Sequence, residues 1–344
     1  MAGGGGTRLW PASTPERPKQ LFDPLLQGKS LLRRTVERLE GFVEPEHVWV
    51  VTTRDQQEQV AAALPEVRPE HVIAEPFGRN TAPAIALAVR RLAADHPEAT
   101  LVALPADHHV RDPEAFRQRL AAAVAHAEAG SCLVTLGITP DHPATGYGWI
   151  ERDEQPLAPV DGDAGAPVFV AKRFVEKPDE ARAREFLEHG RYLWNAGIFV
   201  MPVVRIAAEL ALHCNDTWEA LGALPLDDAY ARIQPEPIDT AVMEKQTDLR
   251  VVPADVGWTD LGSWRAVSAI APRDERGNAG ISDAAAPVLF DCEGTLAWAE
   301  GVQVAVVGMR DVAVVCSGNR VIVCPLDRAQ DVRSVVEALR ERET

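Results

Sequence analysis

The chain has 344 residues, 46% hydrophobic and 25% charged, the balance of a soluble globular protein long enough for one large domain and a smaller one. Its formal net charge of −16 excludes a nucleic-acid or anionic-membrane surface, since both need basic patches, yet leaves room for a few cations in a ligand cleft. Five scattered cysteines, an odd number with no C-x-x-C pair, point to a reducing compartment; with no apolar run of membrane-spanning length, a cytoplasmic location is expected.

The chain opens on a glycine run, Gly3, Gly4, Gly5 and Gly6, followed by Thr7 and Arg8, with Lys19 further on. Glycine serves where the backbone takes positive φ or approaches another group closely. Free N–H groups beside fixed cations suit a phosphate, so this stretch reads as a triphosphate cradle with Arg8 and Lys19 as its cations. Only Met1 and Ala2 precede it, whereas a doubly wound sheet normally feeds such a loop from a strand; we expect residues upstream of Met1.

Ser30 caps a helix whose Leu31, Leu32, Thr35, Val36 and Leu39 share one face. Strands follow at His47–Thr53, His71–Ala74, Thr100–Leu104 and Ser131–Gly137. Helices alternate with them at Arg54–Leu64, from Asn80 or Thr81 to Ala94, and from Asp112 to Gly130. That spacing predicts an α/β, Rossmann-like domain with a mainly parallel sheet and helices on both faces. Ligands of such sheets bind beyond the carboxyl ends of the strands, where Glu75-Pro76 and Pro105-Ala106-Asp107 fall.

Thr145–Ile150 is a glycine-flexed entry to a strand, Val168–Val175 is a further strand, and Asp179 caps a helix ending near Gly190. Helices are expected at Val203–His213, Asp216–Leu221, Leu226–Arg232 and Thr240–Lys245, a strand at Leu249–Pro253, and a helix ending near Pro272. After the polar turn Asp274–Asn278, short β pieces and a final helix from Ala329 to Arg342 predict a small β domain, short-β-helix-like. The expected division is 1–272 and 279–344. A domain like the second packs or oligomerises more often than it catalyses, so a homodimer is compatible with it.

Eight motifs carry a resemblance. They are Ala2–Pro11 (AGGGGTRLWP), Arg17–Gln20 (RPKQ), Glu75–Ala84 (EPFGRNTAPA), Pro105–His108 (PADH), Phe174–Pro178 (FVEKP), Trp194–Phe199 (WNAGIF), Ile238–Lys245 (IDTAVMEK) and Val256–Trp264 (VGWTDLGSW). In this order, over about residues 2 to 264, they resemble the mannose-1-phosphate guanylyltransferase family of sugar nucleotidyltransferases, and the β-rich tail is similar to that family's C-terminal region. The resemblance implies a GT-A type fold and the reaction of GTP with mannose 1-phosphate to give GDP-mannose and pyrophosphate. Such a reaction needs two anions held in line and charge neutralised on the leaving group.

The resemblance implies Arg8, Lys19, Asp107, Lys177 and Asp260 as the catalytic set, with Asp107 and Asp260 binding Mg²⁺. It places Gly3, Gly4, Gly5, Gly6, Thr7, Glu75, Arg79, Asn80 and Thr81 on the nucleotide. Gly146, Tyr147, Gly148, Glu176, Lys177, Asn195 and Gly197 fall on the sugar phosphate. Asp239 and Glu244 lie within a motif, where a helix cap and a solvent-facing carboxylate remain equally open readings. Ala12, Thr14 and Thr259 depart from the family's commoner Leu, Arg and Ser without touching the charged residues. The chain lacks the cupin-like isomerase domain of bifunctional relatives, so no phosphomannose isomerase activity is expected.

Other readings fit less well. A Walker ATPase needs Gly-Lys-Ser/Thr after the glycines, and a dinucleotide fold needs glycine where Leu9 stands. His108 and His109 have no second His/Cys cluster to complete a zinc site. The rivals left open are another sugar-1-phosphate nucleotidyltransferase, using dTTP, UTP or glucose 1-phosphate, and a non-catalytic nucleotide-sensing subunit on the same fold.

Overall fold

The computed structural model describes residues 1–3 and 6–343. Helix α1 (Leu31–Glu37) starts where Ser30 Oγ accepts the Arg33 N–H at 3.2 Å, a cap that contributes about 1 kcal/mol. Strand β1 (Val50–Thr53), helix α2 (Gln57–Ala63) and strand β2 (Val72–Glu75) follow, β1 and β2 pairing in parallel. Helix α3 (Thr81–Asp95) is alanine-rich and buried along most of its length, so it packs close against its neighbours.

Next come β3 (Thr100–Ala103), the two-residue β4 (His109–Val110), α4 (Pro113–Gly130), β5 (Val134–Ile138), β6 (Trp149–Arg152) and β7 (Phe169–Val175). Helix α5 (Glu180–His189) leads into the eleven-residue β8 (Tyr192–Pro202). A helical run of α6 (Val203–His213), α7 (Asn215–Ala223), α8 (Leu226–Arg232) and α9 (Ile238–Ala241) precedes β9 (Arg250–Ala254), β10 (Trp258–Thr259) and α10 (Trp264–Ile270).

The α/β character and the helices on both faces are as the sequence predicts, but the large sheet is not mainly parallel. Its order is β3-β8-β5-β9-β7-β6, and β5 with β9 is its one parallel pair. The cause is two strands: β8 runs antiparallel to β3, β5 and β6, and β7 runs antiparallel to β9 and β6. Alternation along β8 sends Trp194, Ala196, Ile198 and Val200 to a core shared with α4, and Leu193, Phe199 and Met201 to a core shared with α3 and α6.

Met1 and Ala2 hold one end of a strand position between β1 and β3. Ala2 bridges Thr52 in parallel and donates its N–H to Val51 O at 2.7 Å. On the other side the Met1 amino group donates to Leu104 O at 2.9 Å, and Ala106 N–H donates to Met1 O at 3.0 Å. The Gln20 side chain and the Thr52 hydroxyl both donate to Ala2 O, each at 2.9 Å.

The C-terminal region stacks β11 (Ala279–Ser282), β13 (Leu296–Glu300) and β15 (Val312–Ser317) in parallel, with β12 (Val288–Phe290) and β14 (Ala305–Val307) paired in parallel as a second face. A hairpin to β16 (Arg320–Pro325) and helix α11 (Val332–Glu343) complete a short β-helix. Its Trp298 packs on Phe22 and Trp264 at ring-centroid distances of 5.6 and 5.4 Å, and donates Nε1–H to Pro24 O at 3.1 Å. Aromatic pairs of this kind add about 0.5–1.5 kcal/mol beyond area burial. The β region and the segment after the glycine run therefore share one core.

Candidate active site

Of the segments read above as the phosphate, nucleotide and sugar sides, the first is built on Lys19. Gly6 stands at φ 52°, and a Cβ there would lie 2.4 Å from Lys19 Cβ, so only glycine lets the loop fold onto that lysine. Lys19, 8% exposed, donates from Nζ to Asp107 Oδ2 at 2.8 Å and to the Asp260 carbonyl at 2.5 Å. The antiparallel β4–β10 pair, Val110 opposite Trp258 and His109 opposite Thr259, brings these distant aspartates together. Burial works against the Asp107 charge, but the Lys19 ammonium outweighs it and holds the carboxyl below the usual carboxylate range.

Asp260 Oδ1 accepts from the Tyr147 hydroxyl at 2.9 Å and from Gly262 N–H at 3.0 Å. Burial and the neighbouring Asp260 charge push the Tyr147 phenol far above its ordinary range, so it stays a donor. Burial pushes His108 down to about 4, and its Nδ1 accepts from Trp258 Nε1 at 3.2 Å. Among the described residues, no group of three or more His, Cys, Asp or Glu could hold a metal.

The nucleotide side lies at the end of β2. Glu75, 4% exposed, accepts from the Tyr230 hydroxyl at 2.9 Å, and burial pushes its carboxyl up to about 7. A Cβ on Gly3 would lie 3.8 Å from Glu75 Oε2, which places Gly3 beside this carboxyl. Arg79 donates to the Tyr230 carbonyl at 3.2 Å and lies over the Phe77 ring. Asn80, at φ 71°, caps α3 by accepting Thr81 N–H, and the Thr81 hydroxyl accepts from Ile238 N–H at 2.8 Å.

At the segments read as the sugar side, a Cβ on Gly148 would meet Glu176 Oε2 at 2.7 Å and Asn195 Cβ at 3.5 Å, so glycine there lets those side chains close onto the backbone. Asn195 donates to Asp239 Oδ1 and accepts from Gly197 N–H at 3.0 Å. Burial, together with the Glu176 charge, raises the Asp239 carboxyl; burial, Asp239 and Glu176 raise Glu244. Lys177, at φ 41°, donates to Glu176 Oε1 at 2.7 Å from an exposed position.

Lys19, Asp107, Asp260 and Tyr147 thus form one bonded group; Asn195 is bonded to Gly148 and Gly197, and the Lys177–Glu176 pair lies beside them. Arg8 joins neither through a direct bond: it is exposed and donates to Gln330 Oε1 of the C-terminal region at 3.1 Å. Thr7 opens a short 3-10 turn, and a Cβ on Gly146 would meet nothing within 4 Å. The sequence reading of Gly4 and Gly5 lies outside the described residues. It missed Tyr230, which sits 155 positions from Glu75 with no local signal, and Ser13, whose buried hydroxyl has no partner among the described residues.

The donor set suits a hard divalent cation. Asp107 and Asp260 offer carboxylate oxygens on adjacent segments, and both Asp260 bonds named above fall on Oδ1, leaving Oδ2 free of them. Two carboxylates plus substrate phosphates and water are the ligands Mg²⁺-type ions take.

The family described as "Nucleotidyl transferase" matches residues 1–277, and the "MannoseP isomerase/GMP-like beta-helix domain" matches 286–339. Xanthan biosynthesis protein XanB of Xanthomonas campestris pv. campestris (strain B100) is 38% identical over 356 residues, covering 99% of this chain and 72% of that protein. Mannose-1-phosphate guanylyltransferase of Escherichia coli (strain K12) is 37% identical over 357 residues, with the same two coverages of 99% and 72%. A crystal structure described as mannose-1-phosphate geranyltransferase from Thermus thermophilus is 38% identical, covers 99% of this chain and 98% of its own, and superposes with a TM-score of 0.87. The chain belongs to the nucleotidyl transferase family, and its chemistry is sugar-1-phosphate nucleotidyl transfer.

Proposed function

We propose that the chain transfers GMP from GTP to mannose 1-phosphate, giving GDP-mannose and pyrophosphate. The observation that carries this reading is the meeting of Asp107 and Asp260 across β4–β10, with Lys19 bonded to both segments. In the reaction, a phosphate oxygen of mannose 1-phosphate forms a bond to the α-phosphorus as the bond to the α–β bridging oxygen breaks. The electron pair leaves on pyrophosphate. The attacking oxygen already carries charge, so no side chain need remove a proton, and positioning with charge neutralisation supplies the catalysis.

In this reading Lys19 neutralises the triphosphate, with Arg8 at the mouth of the loop, and Gly3, Gly4, Gly5, Gly6 and Thr7 lend backbone donors. Asp107 and Asp260 hold Mg²⁺, which when bound shields the phosphate charge. Glu75, Arg79, Asn80 and Thr81 face the nucleoside. Lys177 meets the sugar phosphate, while Gly146, Tyr147, Gly148, Glu176, Asn195 and Gly197 bound the sugar. The names of the guanylyltransferases from Escherichia coli and Klebsiella pneumoniae support guanine and mannose as the substrates' distinguishing groups. We place the reaction in the cytoplasm; no described helix is long and apolar enough to cross a membrane. The C-terminal β-helix is our candidate face for a homodimer.

The test is pyrophosphate release from GTP, UTP, dTTP and ATP, each with mannose 1-phosphate or glucose 1-phosphate and Mg²⁺, with geranyl diphosphate as a further donor. Release is expected with GTP and mannose 1-phosphate. Preference for another pair would replace the substrate assignment, and no release from any pair by folded protein would leave the nucleotide-sensing reading.

A further inference from the structure

The Arg8 guanidinium donates from Nη1 to Gln330 Oε1 at 3.1 Å, a bond between residues 322 positions apart. Both side chains are exposed, yet their backbones are fixed from one core. Arg8 is followed by the buried Leu9. Gln330 lies in a 3-10 turn (Leu326–Asp331) between β16 and α11, with the buried Ala329 before it and the buried Val332 just after the turn. Leu9, Ala329 and Val332 belong to the same hydrophobic cluster, so the amide and the guanidinium are presented to each other by packed segments.

Three features mark this bond as one that orients Arg8 and not one that staples two regions together. The regions hold without it: Trp298 packs on Phe22 and Trp264, and Arg17 donates to Glu300 at 2.6 Å. An exposed bond adds little to such an interface. Second, the acceptor is neutral. The neighbouring carboxylate of Asp331 is paired with Arg328 at 2.7 Å, and Arg8 makes no ion pair among the described residues. An amide fixes the direction of a guanidinium and leaves its charge unquenched, which a carboxylate would not do. Third, the charge is felt at the candidate site. Burial and the Asp260 charge raise the Tyr147 phenol, the Arg8 charge pulls against them, and that phenol bonds Asp260.

We propose that Gln330 is a positioning residue for Arg8, by which the C-terminal β-helix region aims a cation at the nucleoside triphosphate. The proposal rests on the reading of Arg8 as a triphosphate cation. A guanidinium carries its N–H donors in a planar fork; Gln330 takes one from Nη1, and the Nε and Nη2 protons remain for two phosphate oxygens. The β-helix region then contributes to nucleotide affinity through one side chain, in addition to the core it shares with the segment after the glycine run.

The experiment measures GTP affinity by titration calorimetry in Mg²⁺ for the full chain, Gln330→Ala, Gln330→Glu, Arg8→Gln and the Arg8→Gln/Gln330→Ala pair. Gln330→Ala should weaken GTP binding about threefold and leave Tm and the KM for mannose 1-phosphate unchanged. Gln330→Glu keeps the shape and the acceptor but neutralises Arg8 as an ion pair, so the loss should grow to about tenfold. A side chain that merely filled the interface would be replaced most mildly by Glu. With Arg8→Gln already in place, Gln330→Ala should change the affinity by less than about 1.5-fold, because its effect passes through Arg8. Equal affinity in the unaltered chain and Gln330→Ala, a milder loss from Glu than from Ala, or the same loss from Ala with and without Arg8 would each overturn the proposal. So would a fall in Tm with both KM values rising together, which would make Gln330 a staple of the interface. No GTP binding by the unaltered chain would overturn the substrate reading and this proposal with it, an outcome distinct from binding that is indifferent to Gln330.

Discussion

The two halves of the site are built in opposite ways. On the phosphate side the Lys19 and Asp107 side chains are 10% and 30% exposed, and the pair sits in a fixed bonded group. On the sugar side the Lys177 and Glu176 side chains are 63% and 54% exposed, around carboxyls whose charge is disfavoured. A triphosphate brings dense charge, and a buried, aligned cation meets it without reorganising. A sugar brings hydroxyls, and carboxylates and an amide gathered round Gly148 can exchange water for those hydroxyls. Tyr147 links the halves, bonding Asp260 from within the sugar-side segment.

Substitutions can break this contrast in graded steps. Lys19→Gln should lower kcat/KM about 10³-fold and also lower Tm, because Asp107 keeps its burial and loses its partner; steady-state pyrophosphate release and a melting curve read both. Asp260→Asn keeps an oxygen for Tyr147 and Gly262, so turnover should fall about 10²-fold with Tm held within about 2 °C. Wild-type turnover there would remove Asp260 from the cation site. Lys177→Met, on the exposed side, should raise the KM for mannose 1-phosphate about tenfold and leave both Tm and the KM for GTP unchanged. A matching rise in both KM values would dissolve the division into halves.

The smallest effect concerns pH. Glu75 is raised from 4.5 to about 7 by burial, so the folded state holds its proton more tightly than the unfolded chain. That contribution to stability is fully present below pH 4.5 and is lost as pH rises through about 7. Glu75→Gln keeps the acceptor for Tyr230 and should flatten the fall in Tm across this window, making the variant the more stable protein at pH 8. A parallel pair of Tm–pH curves would show that Glu75 titrates normally.

What the sequence made legible was local chemistry. The glycine run, Lys19 and the two aspartates stand out because phosphate transfer demands those residue types; Ser30 and Asp179 cap the helices they were expected to cap, and Asp112 caps the one expected to begin there. What stayed hidden was pairing. β8 carries Asn195 and Gly197 inside a run buried on both faces, so it lacks the alternation that marks a strand, and nothing local gives its antiparallel direction. The Glu75–Tyr230 and Asn195–Asp239 bonds join residues far apart in the chain, and Arg8 turns to Gln330 because a distant domain packs there.

The core shared by Phe22, Trp264 and Trp298 also fixes an order of events during synthesis. The segment after the glycine run is among the first made, yet Leu9, Ala12 and Phe22 pack on a core whose other residues run from Leu261 to Val332. At about 5–20 residues per second, that gap amounts to roughly fifteen seconds to a minute. Through that interval Leu9, Ala12 and Phe22 lack half of the core that buries them, so the packing of this early segment is completed only as the β-helix emerges.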